Sequence, residues 1–248
     1  MQAIILAAGK GTRLKPLTKS VPKALTEVND VPIIINTLNI LEKFNCREVI
    51  IVIGYLGDIL VKKIGHYYGK MKITYVENTL YEKTNNVYSL YLTEKYVNDD
   101  LLLIECDLFY SESVIELIMD AEAGCNILVS DYNMSTMDGS VILVDKQDTI
   151  QGLVPKRNQG DGFDYSVAKK TVNIYKMKKE FMYNKFFPTL NAYIVSQSLN
   201  SYYELVIGGL IYWDSSDFAL VHVDEMEWDE IDNIDDLQRA ENKFKRVT

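Results

Sequence analysis

Short apolar runs separated by amphipathic stretches set the layout of this chain. Gln2-Ala3-Ile4-Ile5-Leu6-Ala7-Ala8, Glu48-Val49-Ile50-Ile51-Val52-Ile53, Lys72 to Val76, Leu101-Leu102-Leu103-Ile104-Glu105 and Asn126 to Val129 all have strand length. Apart from Lys72 to Val76, which Thr74 interrupts, their apolar positions are consecutive, which is the pattern of a strand buried on both faces. Between them, Val31 to Phe44, Asp58 to Tyr68, Asn86 to Tyr96 and Ser111 to Ala123 read as helices. Pro32 falls in a first turn, where a missing N–H costs little, and Ser111 stands at a cap position. Strands alternating with helices predict an α/β fold with a doubly wound, mostly parallel, Rossmann-like sheet. Ligands of such sheets sit beyond the carboxyl ends of the strands, and Gly9 and Asp107 both fall at such ends.

The pattern changes from about Asp131 to Trp213. Turn residues cluster at Asp138-Gly139 and at Asn158-Gln159-Gly160-Asp161-Gly162, while Ser140–Val144 and Thr171–Tyr175 read as strands. Helices are expected over Lys178–Ser198, interrupted by Pro188, and over Tyr202–Trp213. The expected organisation is a small mixed α+β lobe, 131–215, inserted in a core of 1–130 and 216–248. The chain returns through Phe218–Val223 and Trp228–Asp232. A terminal helix then begins near Asp235, with acids in its first turn and Lys243, Lys245 and Arg246 at its end, as the helix dipole favours.

Gly9-Lys10-Gly11-Thr12-Arg13 follows the first strand at once. Glycines let backbone N–H groups converge into an anion-binding nest, and Arg13 and Lys23 bring positive charge to the same place. Two familiar loops do not fit. Leu14 stands where a dinucleotide fingerprint needs its third glycine, and no spacing here matches a P-loop. The longer string Leu6-Ala7-Ala8-Gly9-x-Gly11-Thr12-Arg13-Leu14-x-Pro16-Leu17-Thr18-x-x-x-Pro22-Lys23-Ala24-Leu25 instead resembles the signature of nucleotidyltransferases that join a nucleoside triphosphate to a phosphorylated small molecule. The resemblance implies that Leu6, Ala7, Ala8, Gly9, Gly11, Thr12 and Arg13 wrap the triphosphate and that Lys23 contacts the reacting phosphates. It also implies a Mg²⁺ ion on Asp107, after the fourth strand, and Asp232, in Glu230-Ile231-Asp232. From spacing alone, Asp107 equally starts a turn and Asp232 equally caps the last helix.

Charge arithmetic favours the ion. Unit charges about 4 Å apart interact by roughly 4 kcal/mol at an effective dielectric near 20. Carboxylates facing a polyphosphate therefore need a divalent cation between them, and magnesium prefers such oxygens. The implied reaction is in-line attack by a phosphate or phosphonate oxygen on the α-phosphorus, expelling pyrophosphate, with Lys23, Arg13, Asp107 and Asp232 as the catalytic set. The attacking oxygen is already anionic, so positioning and charge neutralisation do the chemistry.

Lys83-Thr84-Asn85-Asn86-Val87-Tyr88-Ser89-Leu90 resembles the Asn-Asn-x-Tyr-Ser-Leu segment of cytidylyltransferases acting on phosphocholine and phosphonates. It implies base reading by Asn85, Asn86 and Ser89; the plain alternative for Asn85 and Ser89 is helix capping. Lys170-Thr171-Val172-Asn173-Ile174-Tyr175-Lys176 and Asn200-Ser201-Tyr202-Tyr203-Glu204 are similar to segments of the phosphonate enzymes. The implied acceptor site is Lys170 on the phosphonate and Tyr202, Tyr203 and Glu204 around the organic end, where they suit an ammonium group, with Asn173 also in the acceptor site. A helix packing its tyrosines into the small lobe explains the same residues. The expected activity is CMP transfer from CTP to a small phosphonate or phosphocholine-like acceptor. The alternatives are a hexose-1-phosphate enzyme using UTP or dTTP, weakened because Leu153-Val154-Pro155-Lys156 replaces a Glu-Lys-Pro, and a silent nucleotide-sensing subunit.

Composition narrows this further. A net charge of −9 over 248 residues argues against a nucleic-acid surface. No stretch reaches the roughly 18 apolar residues of a membrane span, and no basic start precedes an apolar signal core. Three cysteines without metal-like spacing suit a reducing cytoplasm, and two histidines leave little for a zinc or Ser-His-Asp site. CTP and the acceptor are the expected partners, without nucleic acid or membrane, and a homodimer is the assembly considered.

Overall fold

A computed structural model describes residues 1–224 and 226–245. The apolar runs form strands Gln2–Ala7, Glu48–Ile53, Met71–Glu77, Leu101–Glu105 and Cys125–Asp131. Gln2–Ala7 lies between Glu48–Ile53 and Leu101–Glu105, parallel to both, and Glu48–Ile53 pairs in parallel with Met71–Glu77. Consecutive apolar residues are needed because each face of the sheet carries its own core. Ala3, Ile5 and Ala7 pack with Ile34, Leu38 and Leu41 of helix Ile33–Lys43. Ile4 and Leu6 enter a second core with Val87, Leu90, Phe186, Leu190 and Ile207. Leu102 and Ile104 follow the first set, Leu101 and Leu103 the second. Each such large apolar side chain contributes about 1.5–3 kcal/mol on burial. The expected doubly wound, mostly parallel α/β arrangement is therefore present.

Several boundaries differ from the sequence reading. Val31 and Pro32 pair with Glu27–Val28, and the helix starts at Ile33. The second helix, Gly57–Ile64, stops at Gly65, whose φ of 79° lies in the left-handed region; Tyr67–Tyr68, expected as helix, turn back to pair with Met71–Lys72. Helix Asn86–Tyr91 gives way to a separate 3₁₀ turn, Glu94–Tyr96. Ser111 precedes helix Glu112–Met119 but makes no side-chain capping bond, its Oγ meeting Ser113 Oγ at 2.8 Å. Leu108–Tyr110 and Ile150–Val154 are strands that the hydrophobic pattern did not reveal.

The main departure concerns Ala168–Met177. This ten-residue strand sits inside the principal sheet, where one edge pairs with Cys125–Asp131. Its other edge pairs first with Val141–Leu143 and then with Leu101–Ile104, all antiparallel. The change happens around Asn173, at φ 59°, where the register against Cys125–Asp131 shifts between Thr171 and Tyr175. Lys176 is buried here because its ammonium is bonded to the carbonyls of Met119 and Ala121.

Around Pro188 the helix is widened rather than broken. Lys179–Phe181 runs through a π turn, Met182–Phe186, into helix Phe187–Ser196. The extra backbone in that turn accommodates a residue that lacks N–H and would clash with a carbonyl four positions back. Helix Glu204–Trp213 follows. Strands Phe218–His222 and Trp228–Glu230 lead to the terminal helix Ile234–Lys243. Asn233 and Asp236 close its start with a reciprocal capping box, so Asp232 is not its cap. Arg246, expected at the end of this helix, lies outside the described residues.

Candidate active site

The loop after the first strand forms three short 3₁₀ turns, Thr12–Leu14, Leu17–Lys19 and Lys23–Leu25. Gly11 adopts φ 56°, and a Cβ there would stand 2.9 Å from Lys23 Cβ. Only glycine lets the two segments close on each other, and this seats Lys23 against the loop. Thr18 Oγ1 fastens the loop by donating to the Gly11 carbonyl at 2.7 Å.

Lys23, Asp107 and Asp232 then converge from distant parts of the chain. Lys23 Nζ lies 2.7 Å from Asp107 Oδ2 and 2.7 Å from Asp232 Oδ1, while Arg13 Nη2 lies 2.8 Å from the same Asp232 oxygen. Burial opposes the charge on Lys23, but the carboxylates of Asp107 and Asp232 outweigh it and hold the ammonium pKa far above its ordinary value. Asp107 Oδ1 is buried and has no hydrogen-bond partner. A lone acceptor beside a second carboxylate suits a hard cation completed by ligand oxygens. Among the described residues no three His, Cys, Asp or Glu side chains are grouped to hold a metal unaided.

A cavity of about 320 Å³ opens above this cluster. Leu6, Ala8, Gly9, Gly11, Thr12, Arg13, Lys23, Asp107 and Asp232 line it, as do Asn85, Asn86 and Ser89 on the far side. Ala7 does not, since alternation turns it into the core beneath. Asn85 caps the following helix by accepting from Asn86 N at 2.8 Å. Ser89 Oγ accepts from Asn78 Nδ2 at 3.1 Å. Asn78, absent from the sequence reading, is 1% exposed, lines the cavity and ties the loop together through Thr84 and Leu80 N. An asparagine after a strand gave too weak a signal to single it out.

A second cavity, of about 520 Å³, shares Arg13, Asn86, Glu105, Asp107, Tyr202 and Asp232 with the first. Asn173, Glu204 and Glu230 line it too. Asn86 Nδ2 donates to Glu105 Oε1 at 3.1 Å and to Glu204 Oε2 at 3.2 Å, and its Oδ1 accepts from Tyr203 N at 3.0 Å. Burial, reinforced by the charges of Asp107, Glu204 and Glu230, pushes the Glu105 carboxyl well above the usual range. Burial likewise raises Glu204, and takes Glu230 up to about 7 with the help of Asp107 and Asp232, although Lys170 opposes it. Glu105 and Glu230 are site residues that the sequence marks only by an acid two positions before each key aspartate, after an apolar run in the case of Glu105 alone.

The remaining expected acceptor residues are placed differently. Lys170 is 1% exposed and lies behind the wall, 3.0 Å from Glu230 Oε2, where it also donates to the Thr171 carbonyl. Tyr203 is fully buried in the core, edge-on to Tyr175 at 5.7 Å, so neither residue borders the second cavity. Tyr202 does, with the Arg157 guanidinium 5.7 Å from its ring centre.

The sequence profile of the MobA-like NTP transferase domain matches residues 3–161. This chain belongs to that family. The family member resembles the CMP-5'-(3-aminopropyl)phosphonate synthase of Streptomyces rubellomurinus, at 28% identity over 98% of this chain and 39% of that protein. It is 43% identical to the choline-phosphate cytidylyltransferase of Streptococcus pneumoniae over 38% of this chain and 40% of that one. The matched segments thus span about two-fifths of the length of both. Among solved structures, the CTP:phosphocholine cytidylyltransferase of Streptococcus pneumoniae superposes with a TM-score of 0.77 at 25% identity, covering 98% of this chain and 99% of the other. The family fold is accordingly that expected from the alternating strands and helices. No helix among the described residues is long and apolar enough to cross a membrane.

Proposed function

We propose that this protein is a cytoplasmic, magnesium-dependent cytidylyltransferase that moves CMP from CTP to a small amino-bearing phosphonate or phosphoester and releases pyrophosphate. One observation carries the reading: Lys23 is held 2.7 Å from both Asp107 and Asp232, beside the glycine loop and Arg13. The loop N–H groups, Arg13 and Lys23 would bind the triphosphate, and Lys23 would neutralise charge at the α-phosphorus as the acceptor oxygen attacks in line. Asp107 and Asp232 would hold Mg²⁺, which supplies a Lewis acid for the phosphate oxygens. Asn85, whose Oδ1 is taken by the cap, retains its Nδ2 as a donor for the base edge. On the acceptor side, Glu105 and Glu204 border the cavity without an ion-pair partner among the described residues, which favours a cationic amine over a neutral hexose. The relatives named for aminopropylphosphonate and choline phosphate support the same choice.

A pyrophosphate-release screen of CTP, UTP, ATP, GTP and dTTP against phosphonates, phosphocholine and hexose 1-phosphates tests it. Turnover is expected with CTP and an amino acceptor. Preference for UTP or dTTP with a hexose phosphate would overturn the nucleotide and acceptor, and nucleotide binding without pyrophosphate would overturn catalysis.

A further inference from the structure

A doubly charged acceptor needs a cation on its own side of the cleft, and Lys170 is withdrawn from that duty by its burial against Glu230. Arg13 and Lys156 border the second cavity but are engaged, Arg13 with Asp232 at 2.8 Å and Lys156 with Asp138 at 2.8 Å. Arg157 differs. It borders the same cavity, is exposed, and has no carboxylate partner among the described residues. Its guanidinium stands over the Tyr202 ring at 5.7 Å, and Nη2 reaches Ser201 Oγ only at 3.5 Å, the outer limit of a hydrogen bond. Pro155, with φ −63°, starts the 3₁₀ turn Lys156–Asn158 that presents it, and Gln159 Nε2 ties that turn to the Gly139 and Val154 carbonyls.

We propose that Arg157 is the anion anchor of the acceptor site, binding the phosphonate or phosphate oxygens while Tyr202 supports the flat face of the guanidinium. The inference rests on the transferase reading for the identity of the acceptor. A guanidinium presents paired donors that match two oxygens of one phosphonate, and stacking on an aromatic face leaves those in-plane donors free. The arrangement puts an anion-binding fork in the same cavity as the acids that would receive an amine, so both ends of a zwitterionic acceptor would find a partner there.

The test compares wild type with Arg157→Ala and Arg157→Lys, taking 2-aminoethylphosphonate as acceptor in the pyrophosphate assay. Loss of a charged hydrogen-bond partner should raise the acceptor KM about 10- to 100-fold in Arg157→Ala. The KM for CTP should stay unchanged, and Arg157→Lys should recover part of the loss because the charge remains while the fork is gone. An unchanged acceptor KM, or an equal rise in both KM values, would overturn the assignment. Titration calorimetry with methylphosphonate separates this from failure of the transferase reading, since it requires no turnover. Binding lost in Arg157→Ala supports the anchor even if no pyrophosphate appears, and binding equal to wild type removes it.

Discussion

At the phosphate end of the cleft, Lys23 bridges Asp107 and Asp232, and Arg13 shares the second of them, so that each charge has an opposite within 2.8 Å. At the end proposed for the acceptor, Glu105 and Glu204 share the single amide of Asn86, and neither forms an ion pair among the described residues. The first end is organised before any ligand arrives, and its cost of burial is offset inside the chain. The second buries carboxyl groups whose charged form is disfavoured by burial, so the pKa values of Glu105, Glu204 and Glu230 are all displaced upward, that of Glu230 against the pull of Lys170. On the proposed reading the contrast separates two tasks: one end would position reacting groups, while a cationic ligand at the other would stabilise the ionised carboxylates.

The largest effect should come from breaking the matched end. Lys23→Ala is expected to lower pyrophosphate release by about 10²–10³, the usual loss for one positioned charge at a transferring centre. Lys19→Ala, an exposed lysine in the same loop, should change it little. Similar small effects of both would dissolve the distinction. Next, if Asp107 and Asp232 hold magnesium as proposed, Asp107→Asn and Asp232→Asn should each raise the half-saturating magnesium on the order of tenfold while slowing turnover. Titration curves that overlay the wild type would take both residues out of the metal site.

The smallest effect concerns the unmatched end and has the opposite sign for stability. Burial raises the Glu204 carboxyl, with its own backbone N–H, Asn86, Ser140 and Lys170 acting against that rise. A carboxyl whose folded pKa exceeds its unfolded value supports the fold at low pH and loses that support as pH climbs through the folded value. Glu204→Gln should therefore melt above wild type at neutral pH, by about 2–4 °C for each kcal/mol relieved, and the gap should shrink toward acid. The same change should raise the KM for an amino acceptor. Thermal melts across pH, paired with acceptor kinetics, measure both; a variant less stable than wild type at neutral pH would contradict the idea of a disfavoured charged form.

Legibility in the sequence divides along the same line. Gln2–Ala7, Glu48–Ile53 and Leu101–Glu105 were recognisable because a strand covered on both faces must be apolar throughout. Gly11, Arg13 and Lys23 were recognisable because they lie close together in a distinctive string. Ala168–Met177 was found only in part, because Lys170 and Lys176 look like surface residues until Glu230 and the carbonyls of Met119 and Ala121 are brought against them. Glu105 acquires a role only beside Asn86 and Glu204, which approach it from other parts of the fold. Tyr202 and Tyr203 are neighbours in sequence, yet one meets the cavity and the other the core, a division made just before helix Glu204–Trp213 begins.

The bend at Asn173 has a practical consequence. Its side chain borders the acceptor cavity, and the following residues run along Leu101–Ile104, the strand that leads to Asp107. On the proposed reading, backbone remodelling meant to admit a bulkier acceptor would travel through this shared spine and displace Asp107. Substrate range is therefore best retuned from the peripheral loops carrying Asp138, Arg157 and Tyr202, which can be re-cut one side chain at a time while the catalytic chassis stays true.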